Sequence, residues 1–370
     1  MIRISSVFSV AVLNSLLFPI GASATGDWLT GREHAEQKLC TGKTAKSGPV
    51  AEFVFGRVMS SSRSDTVSES GPDAVLGLRT LDIDRNSRTL VVDSRSRRVT
   101  IRDSNLRNTR LLGGKGEGPG EYRIPTFAAF GTDGSTMVLD SGLGRLSVFN
   151  ATGQFDRVWP GLPVNTRQVL PVDENAILAL GAVARKDEYD IATLLNRNGK
   201  VLWQGVPADP VLGAIGLLVD AVLGARSRDG SVLVGVSISP TIRRVAVRTG
   251  QVLCSALVPK EYWRQLDPSK RPTSGGLAPL REWVQQSSKL EAIQELQDGR
   301  LLIAIARTHG DESTKSDWIV LNSDLSPSVH VGEVPGRLLL IRGDTVWLTG
   351  AADDGRVTLV RGTLKIPVVR

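Results

Sequence analysis

Short apolar runs alternate with polar turns along almost the whole chain, at intervals too close for helices. Leu90 to Val92, Met137 to Leu139, Val232 to Val234 and Leu301 to Ile303 are such runs, rich in branched side chains. Asp133-Gly134, Asp229-Gly230 and Asp298-Gly299 stand just before three runs of this kind, as hairpin turns do. A second turn follows each: Thr152-Gly153, Thr249-Gly250 and Ser323-Asp324. Asp173-Glu174-Asn175 with Asn198-Gly199 supplies another unit, and Gly343-Asp344 with Asp354-Gly355 the last. Turn, strand, loop, strand, turn, strand predicts units of four antiparallel strands. Six of them start near residues 76, 123, 164, 218, 288 and 336.

Two consecutive units share more than their apolar pattern. Thr89/Thr136, Val91/Val138, Asp93/Asp140, Ser94/Ser141, Arg98/Arg145 and Arg110/Arg157 are identical pairs at a constant offset of 47 residues. A strand pattern explains matched apolar positions but not matched Asp, Ser and Arg, so the units are true repeats. Repeats of roughly 45 residues with four strands are propeller blades, and radial closure removes the exposed edges of so many short strands. Asp93 and Asp140 close a strand just before a loop, where a carboxylate accepts backbone N–H groups. Arg98 and Arg145 are placed to pair with them across that loop. These four residues are assigned a structural role. A ring of acids at a binding mouth is the alternative, but only two units carry the Asp.

The chain ends extend this plan. Arg3, the mostly apolar stretch 7–20 and the small residues Ala22-Ser23-Ala24 read as a signal peptide over residues 1–24. The stretch is too short, and too interrupted by Asn14 and Ser15, for a membrane span. No later run approaches spanning length, so the mature chain is expected to be exported to the periplasm or beyond without a transmembrane segment. Residues 25–50 form an extension, and 51–370 the propeller. Residues 51–58 read as a strand that joins the blade holding 357–369 and closes the ring.

Between the first two units lie Gly113, Gly114, Lys115, Gly116, Glu117, Gly118, Pro119, Gly120, Glu121 and Tyr122. This stretch resembles the Gly-x-Gly-x-Gly-Pro-Gly-Glu-Phe signature of bacterial six-bladed β-propeller proteins with NHL-like repeats. The run from Val138 to Phe149 looks like the same family's blade motif, and the resemblance covers residues 76–160. It implies the all-β, six-bladed fold of four-stranded antiparallel blades and an exported bacterial setting; it brings no common reaction. A phosphate loop is excluded, because no Gly-Lys-Ser/Thr ends the stretch and no Gly-x-Gly-x-x-Gly can be drawn through it. The glycines read as a blade-to-blade crossing with positive φ, stiffened by Pro119 and bonded across by Glu121.

Composition narrows the chemistry. With 3 His in the chain, none in a His-Glu-x-x-His pattern, and no Gly-x-Ser-x-Gly elbow, no catalytic residue, metal site or cofactor is assigned. Asp82, Asp84, Asn86 and Asp93 partly mimic a calcium loop, but Ser87 stands where that loop requires Gly. A strand, turn and strand explain these residues and their repeat together. The 2 cysteines, Cys40 and Cys254, form a candidate disulfide in an exported chain, with a buried thiol at Cys254 as the alternative. A net charge of +7 favours acidic partners, and the lack of an aromatic-interleaved basic patch speaks against nucleic acid.

In a four-stranded meander, loops after each second strand share a face with the crossings between blades. That face is predicted to carry the ligand-binding residues Arg95, Arg97, Lys115, Glu117, Glu121, Lys186, Arg243, His309, Asp311 and Glu312. The longest crossing, 266–288, is expected to lay Trp283 over the ring mouth. The inner strands, such as 126–130 and 168–171, offer few polar groups. The sequence therefore reads as a monomeric binding module for an acidic ligand or an envelope protein. A propeller hydrolase or lyase with a metal or acidic site at the channel mouth, and a scaffold within an envelope complex, are the alternatives.

Overall fold

The computed structural model describes residues 52–54, 78–104, 109–185, 188–209, 222–274, 277–306, 315–351 and 357–365. The signal-peptide and extension readings, with Cys40, Lys186, His309, Asp311 and Glu312, fall outside them.

The described chain begins with the short strand β1 (Glu52–Val54). The first sheet is β2 (Leu78–Ile83), β3 (Thr89–Asp93), β4 (Arg98–Arg102) and β5 (Thr109–Leu111). Two short parallel strands, β6 (Gly114–Lys115) and β7 (Glu121–Tyr122), make the crossing to the second. That sheet is β8 (Pro125–Phe130), β9 (Thr136–Asp140), β10 (Arg145–Phe149) and β11 (Phe155–Trp159). The third comprises β12 (Thr166–Asp173), β13 (Ala176–Arg185), β14 (Glu188–Asn196) and β15 (Val201–Pro207). The fourth comprises β16 (Val222–Arg226), β17 (Ser231–Val236), β18 (Thr241–Ala246) and β19 (Val252–Leu257). After helix α1 (Leu277–Gln285) the fifth follows: β20 (Lys289–Glu295), β21 (Leu301–Ala306), β22 (Lys315–Leu321) and β23 (Pro327–Pro335).

These five sheets are uninterrupted antiparallel meanders, the blades of a β-propeller. They are one fewer than the six units read from the turns. The remaining strands β24 (Arg337–Arg342), β25 (Thr345–Ala351) and β26 (Val357–Lys365) form a sheet whose fourth strand is β1, paired Glu52 to Lys365 and Val54 to Thr363. Strand β1, from far upstream in the chain, is thus the neighbour of β26 in this sheet.

Burial patterns show why these residues make blades. The second strands β3, β9 and β17 are buried at every position, because neighbouring sheets cover both of their faces. The outer strand β11 instead alternates between half-buried and exposed, as a strand with one covered face must. Hydrophobic clusters lie between successive sheets. Leu90, Val92, Tyr122, Val138 and Phe149 sit between the first and second, and Met137, Leu146, Trp159, Ile177 and Leu195 between the second and third. The last sheet meets the first through a smaller cluster of Leu78, Leu81, Val91 and Trp347.

Polar staples repeat around the molecule. Arg85 donates to the carbonyl of Thr132 at 3.2 Å, Arg226 to that of Val172 at 3.2 Å, and Arg342 to that of Ile83 at 2.8 Å, each reaching a neighbouring sheet. On the outer strands, Trp159 donates to the carbonyl of Asn196 and Trp203 to that of Val247. Arg and Trp side chains combine the length to reach a neighbouring blade with a terminal donor.

Candidate functional site

The first strands of successive sheets pack side by side, β2 on β8, β8 on β12, β12 on β16, β16 on β20, β20 on β24, and β24 back on β2. They enclose a cavity of about 340 Å³, lined by residues from all six of these strands and by Ser141. That volume lies near the lower end of the range for small-molecule pockets, roughly 300–1,000 Å³.

The lining has a backbone cause. In five of the six first strands, pairing with the second strand slips by one residue, at Arg79, Thr126, Arg167, Glu291 and Leu339. A β-bulge of this kind frees one residue from the ladder and re-aims its side chain. All five bulged residues line the cavity, near the ends where their strands begin. Strand β16 has no bulge and contributes Val222, Leu223 and Gly224. There Gln168 takes over the inner edge, donating to the carbonyl of Gly224 and accepting its N–H, both at 2.9 Å. A Cβ at Gly224 would crowd the Leu180 side chain and lie close to the carbonyl of Leu233, so a side chain fits there only if Leu180 shifts.

Serines that match in the repeat hold the first two bulges. Arg79 Nε donates to Ser94 Oγ at 3.1 Å, and Thr126 Oγ1 lies 2.7 Å from Ser141 Oγ. The loops after β3 and β9 therefore stand at the cavity end of their blades.

Charge is concentrated here. Arg79, Arg167 and Arg337 line the cavity with one carboxylate, Glu291. Burial raises the Glu291 carboxyl above its ordinary value, against the opposing pull of its Ser316 hydrogen bond and of the Arg337 and Lys289 charges. Glu291 accepts a hydrogen bond from Ser316 Oγ. The guanidiniums of Arg167 and Arg337 donate to no described residue, which leaves their donors turned to whatever enters. The expectation that inner strands present few polar groups is corrected here. Thr126 and Gln168 of those strands, with Arg167 one step outside them, reach the cavity, and the bulges place them there.

The residues singled out from the sequence take up several positions. Arg95 and Arg97 are exposed in the loop after β3, whose N–H groups at Arg95 and Ser96 donate to Asp93 Oδ1 at 3.1 Å each. Asp140 is buried, and its carboxylate accepts the N–H groups of Arg123 (2.7 Å), Ile124 (2.9 Å), Gly142 (2.8 Å) and Leu143 (3.2 Å). Arg145 directs its guanidinium at the carbonyls of Glu117, Gly118 and Glu121 in the glycine-rich crossing, instead of pairing across its own loop with Asp140. Arg98 is half-buried at the head of β4. Lys115 and Glu117 are exposed on the crossing, and Glu121 turns back on it to accept the N–H of Gly118 at 2.8 Å.

Two expected surface residues are buried. Arg243 is 4% exposed, because β18 packs between sheets and places it beside Val234 and Ser255. Burial holds its guanidinium below the usual arginine range, with the Asp209 charge opposing. Trp283 is 4% exposed, packed in a cluster with Leu180, Val236, Ile238 and Leu266, and its Nε1 donates to the carbonyl of Asp267 at 3.1 Å. Among the described residues the crossing 266–288 does not line the cavity; its apolar side is spent on the seam between the third and fourth sheets.

Among the described residues no cluster of three or more His, Cys, Asp or Glu side chains is arranged to hold a metal ion. Asp84 caps its own turn through the N–H groups of Asn86 and Arg88, at 3.0 and 2.8 Å. No described helix is long and apolar enough to cross a membrane.

No protein-family model matches the chain, and no curated protein sequence matches it significantly. Solved structures do. A member of the DUF4221 family from Bacteroides vulgatus superposes with a TM-score of 0.62 at 11% identity, covering 86% of this chain and 99% of its own. A protein of Bacteroides fragilis named as a candidate exported protein gives 0.59 at 12%, covering 90% and 99%. A catalytically inactive virginiamycin B lyase from Staphylococcus aureus, solved with quinupristin, gives 0.49 at 12%, covering 80% and 83%. At these identities the likeness to the first two structures shows a shared fold alone.

Proposed function

We propose that this protein is an exported six-bladed propeller that binds a small organic anion at the mouth of its central channel. The composite sheet of β24, β25, β26 and β1 serves as the sixth blade. Its support is the packing of β24 against both β20 and β2. One observation carries the binding reading: bulges in the inner strands turn Arg79, Arg167 and Glu291 into one cavity that Arg337 also lines. Three arginines against one glutamate in a partly desolvated site attract anions more strongly than the same charges in water. Arg95, Arg97, Lys115 and Glu117 belong to the loops of this face and form its outer rim, where they steer an acidic ligand inward.

Thermal-shift and calorimetric titration with small carboxylates, sulfate and neutral sugars test the reading. Carboxylates should stabilise the protein in the millimolar range or better, and Arg167→Gln with Arg337→Gln should abolish the effect. Equal response to neutral sugars, or stabilisation that survives the double variant, refutes it.

Glu291 favours an enzymatic second reading. A carboxyl whose proton affinity is raised, held beside an arginine in a cavity, is suited to general acid–base work in a hydrolase or lyase. Turnover lost in Glu291→Gln with ligand affinity preserved would select that reading.

Export is supported by the pattern of residues 1–24 and is checked by the N-terminus of the secreted chain, expected at Thr25. A Cys40–Cys254 bridge is proposed as well. Cys254 is half-buried on β19 and is not a free thiol. Non-reducing peptide mapping that finds alkylated Cys40 and Cys254 would eliminate it.

A further inference from the structure

The anion-binding reading leaves open what kind of anion the mouth accepts, and the circuit of inner strands narrows it. Running round the channel, the lining is Arg79 on β2, Thr126 on β8, Arg167 and Gln168 on β12, an apolar wall on β16, Glu291 on β20 and Arg337 on β24. In a ring of six, β12 and β24 lie on opposite sides. Arg167 and Arg337 therefore face the channel from opposite walls. Neither guanidinium donates to a described residue. Arg79, by contrast, already spends Nε on Ser94.

Charge agrees with this placement. Three guanidiniums against one carboxyl leave at least two positive charges to be neutralised within a single cavity of about 340 Å³. A monoanion leaves part of the cavity's positive charge uncompensated, which is costly once that charge is desolvated. A ligand with an anionic group at each end satisfies both walls at once. The polar positions Thr80, Thr126 and Gln168 solvate one flank of its middle, and Leu223 with Ile293 packs against the other.

Building on the anion-binding reading, we infer that the channel mouth selects a short dianion, such as a linear dicarboxylate, held end to end between Arg167 and Arg337. Charge-assisted bidentate pairing with carboxylate supplies both affinity and orientation, and it requires arginine instead of lysine.

The test is calorimetric titration of the full mature chain with glutarate and with pentanoate, which match in length and differ by one carboxylate. Glutarate should bind about tenfold or more tightly than pentanoate, the effect expected of one further charged hydrogen-bonded pair. Arg167→Gln and Arg337→Gln should each reduce glutarate to the affinity of pentanoate, and Arg167→Lys should restore only part of the difference. Far-ultraviolet spectra and melting of each variant confirm that the fold is kept. Equal binding of both acids by the unaltered protein overturns the dianion inference and leaves the anion reading standing. A preference for glutarate that survives in Arg337→Gln overturns it also. Binding of neither acid removes both.

Discussion

Two crossings between blades solve the same problem with opposite chemistry. The crossing from β5 to β8 is short and polar. Backbone carbonyls at Glu117, Gly118 and Glu121 converge on Arg145, and four N–H groups converge on Asp140. The crossing from β19 to β20 is long and apolar. It is anchored by Trp263 in the cluster between the fourth and fifth sheets, and by Leu266 and Trp283 between the third and fourth. The short crossing buries Leu112 and Tyr122 but little else, so much of its order comes from its backbone groups, which need partners of fixed geometry. A long one has enough apolar surface to be ordered by burial, which is less directional.

The largest expected effect tests the apolar side of this contrast. Trp283→Ala should lower stability by about 3–5 kcal/mol, as deletion of a buried aromatic does. The urea midpoint should fall with little change of slope. A loss below about 1 kcal/mol would show that burial does not order the long crossing.

Asp140→Ala tests the polar side. It strands several N–H groups in a buried place and should cost about 2–3 kcal/mol, with Asp140→Asn recovering part of the loss. If alanine and asparagine melt alike, the short crossing does not depend on that acceptor.

Gly113→Ala is expected to cost about 1–3 kcal/mol. Its φ of +69° and a Cβ position 2.1 Å from the carbonyl oxygen of Gly120 leave no room for a methyl group. The same substitution at Gly144, where φ is +60° but the space is open, should cost less and separates strain from collision.

The smallest effect concerns pH. The Glu291 carboxyl, on the strand that the long crossing delivers, ionises in the folded chain above the ordinary glutamate value of 4.5 because it is buried. The unfolded chain then loses its proton first as pH rises. The stabilisation is full below 4.5 and is lost as pH climbs through the raised folded value. Glu291→Gln should flatten that part of the melting-temperature profile, and an unchanged slope would assign the dependence to other groups, such as the buried Asp82.

Much of the fold was readable because its determinants are local. Asp-Gly turns, apolar runs of strand length and the offset of 47 residues mark blade after blade without reference to distant parts of the chain. The Asp140 carboxylate was readable too, since its acceptor role follows from its place at a strand end. Arg145 was half readable. Its repeat match to Arg98 marked it, but its true partners lie 24 to 28 residues upstream on the crossing.

The candidate site was misjudged for a definite reason. Arg79 and Thr126 occupy equivalent positions in the matched repeat, and Ser94 and Ser141, which hold them, are identical. That signal was present, but periodicity reasoning treats a first strand as evenly alternating. A one-residue bulge reverses which side chains face the channel.

Residue order alone, then, determined the blades, their turns and the need for glycine between the first two, because neighbours in sequence set those conformations. Which charges share a cavity was decided only by ring closure. Arg167 and Arg337 are brought to one cavity by packing of the first strands, β24 against β2 included, and nothing near either residue in the chain encodes the other. Such convergence depends on the angle between blades and on bulges in separate strands. Both are outcomes of packing across the whole ring, not of local preference.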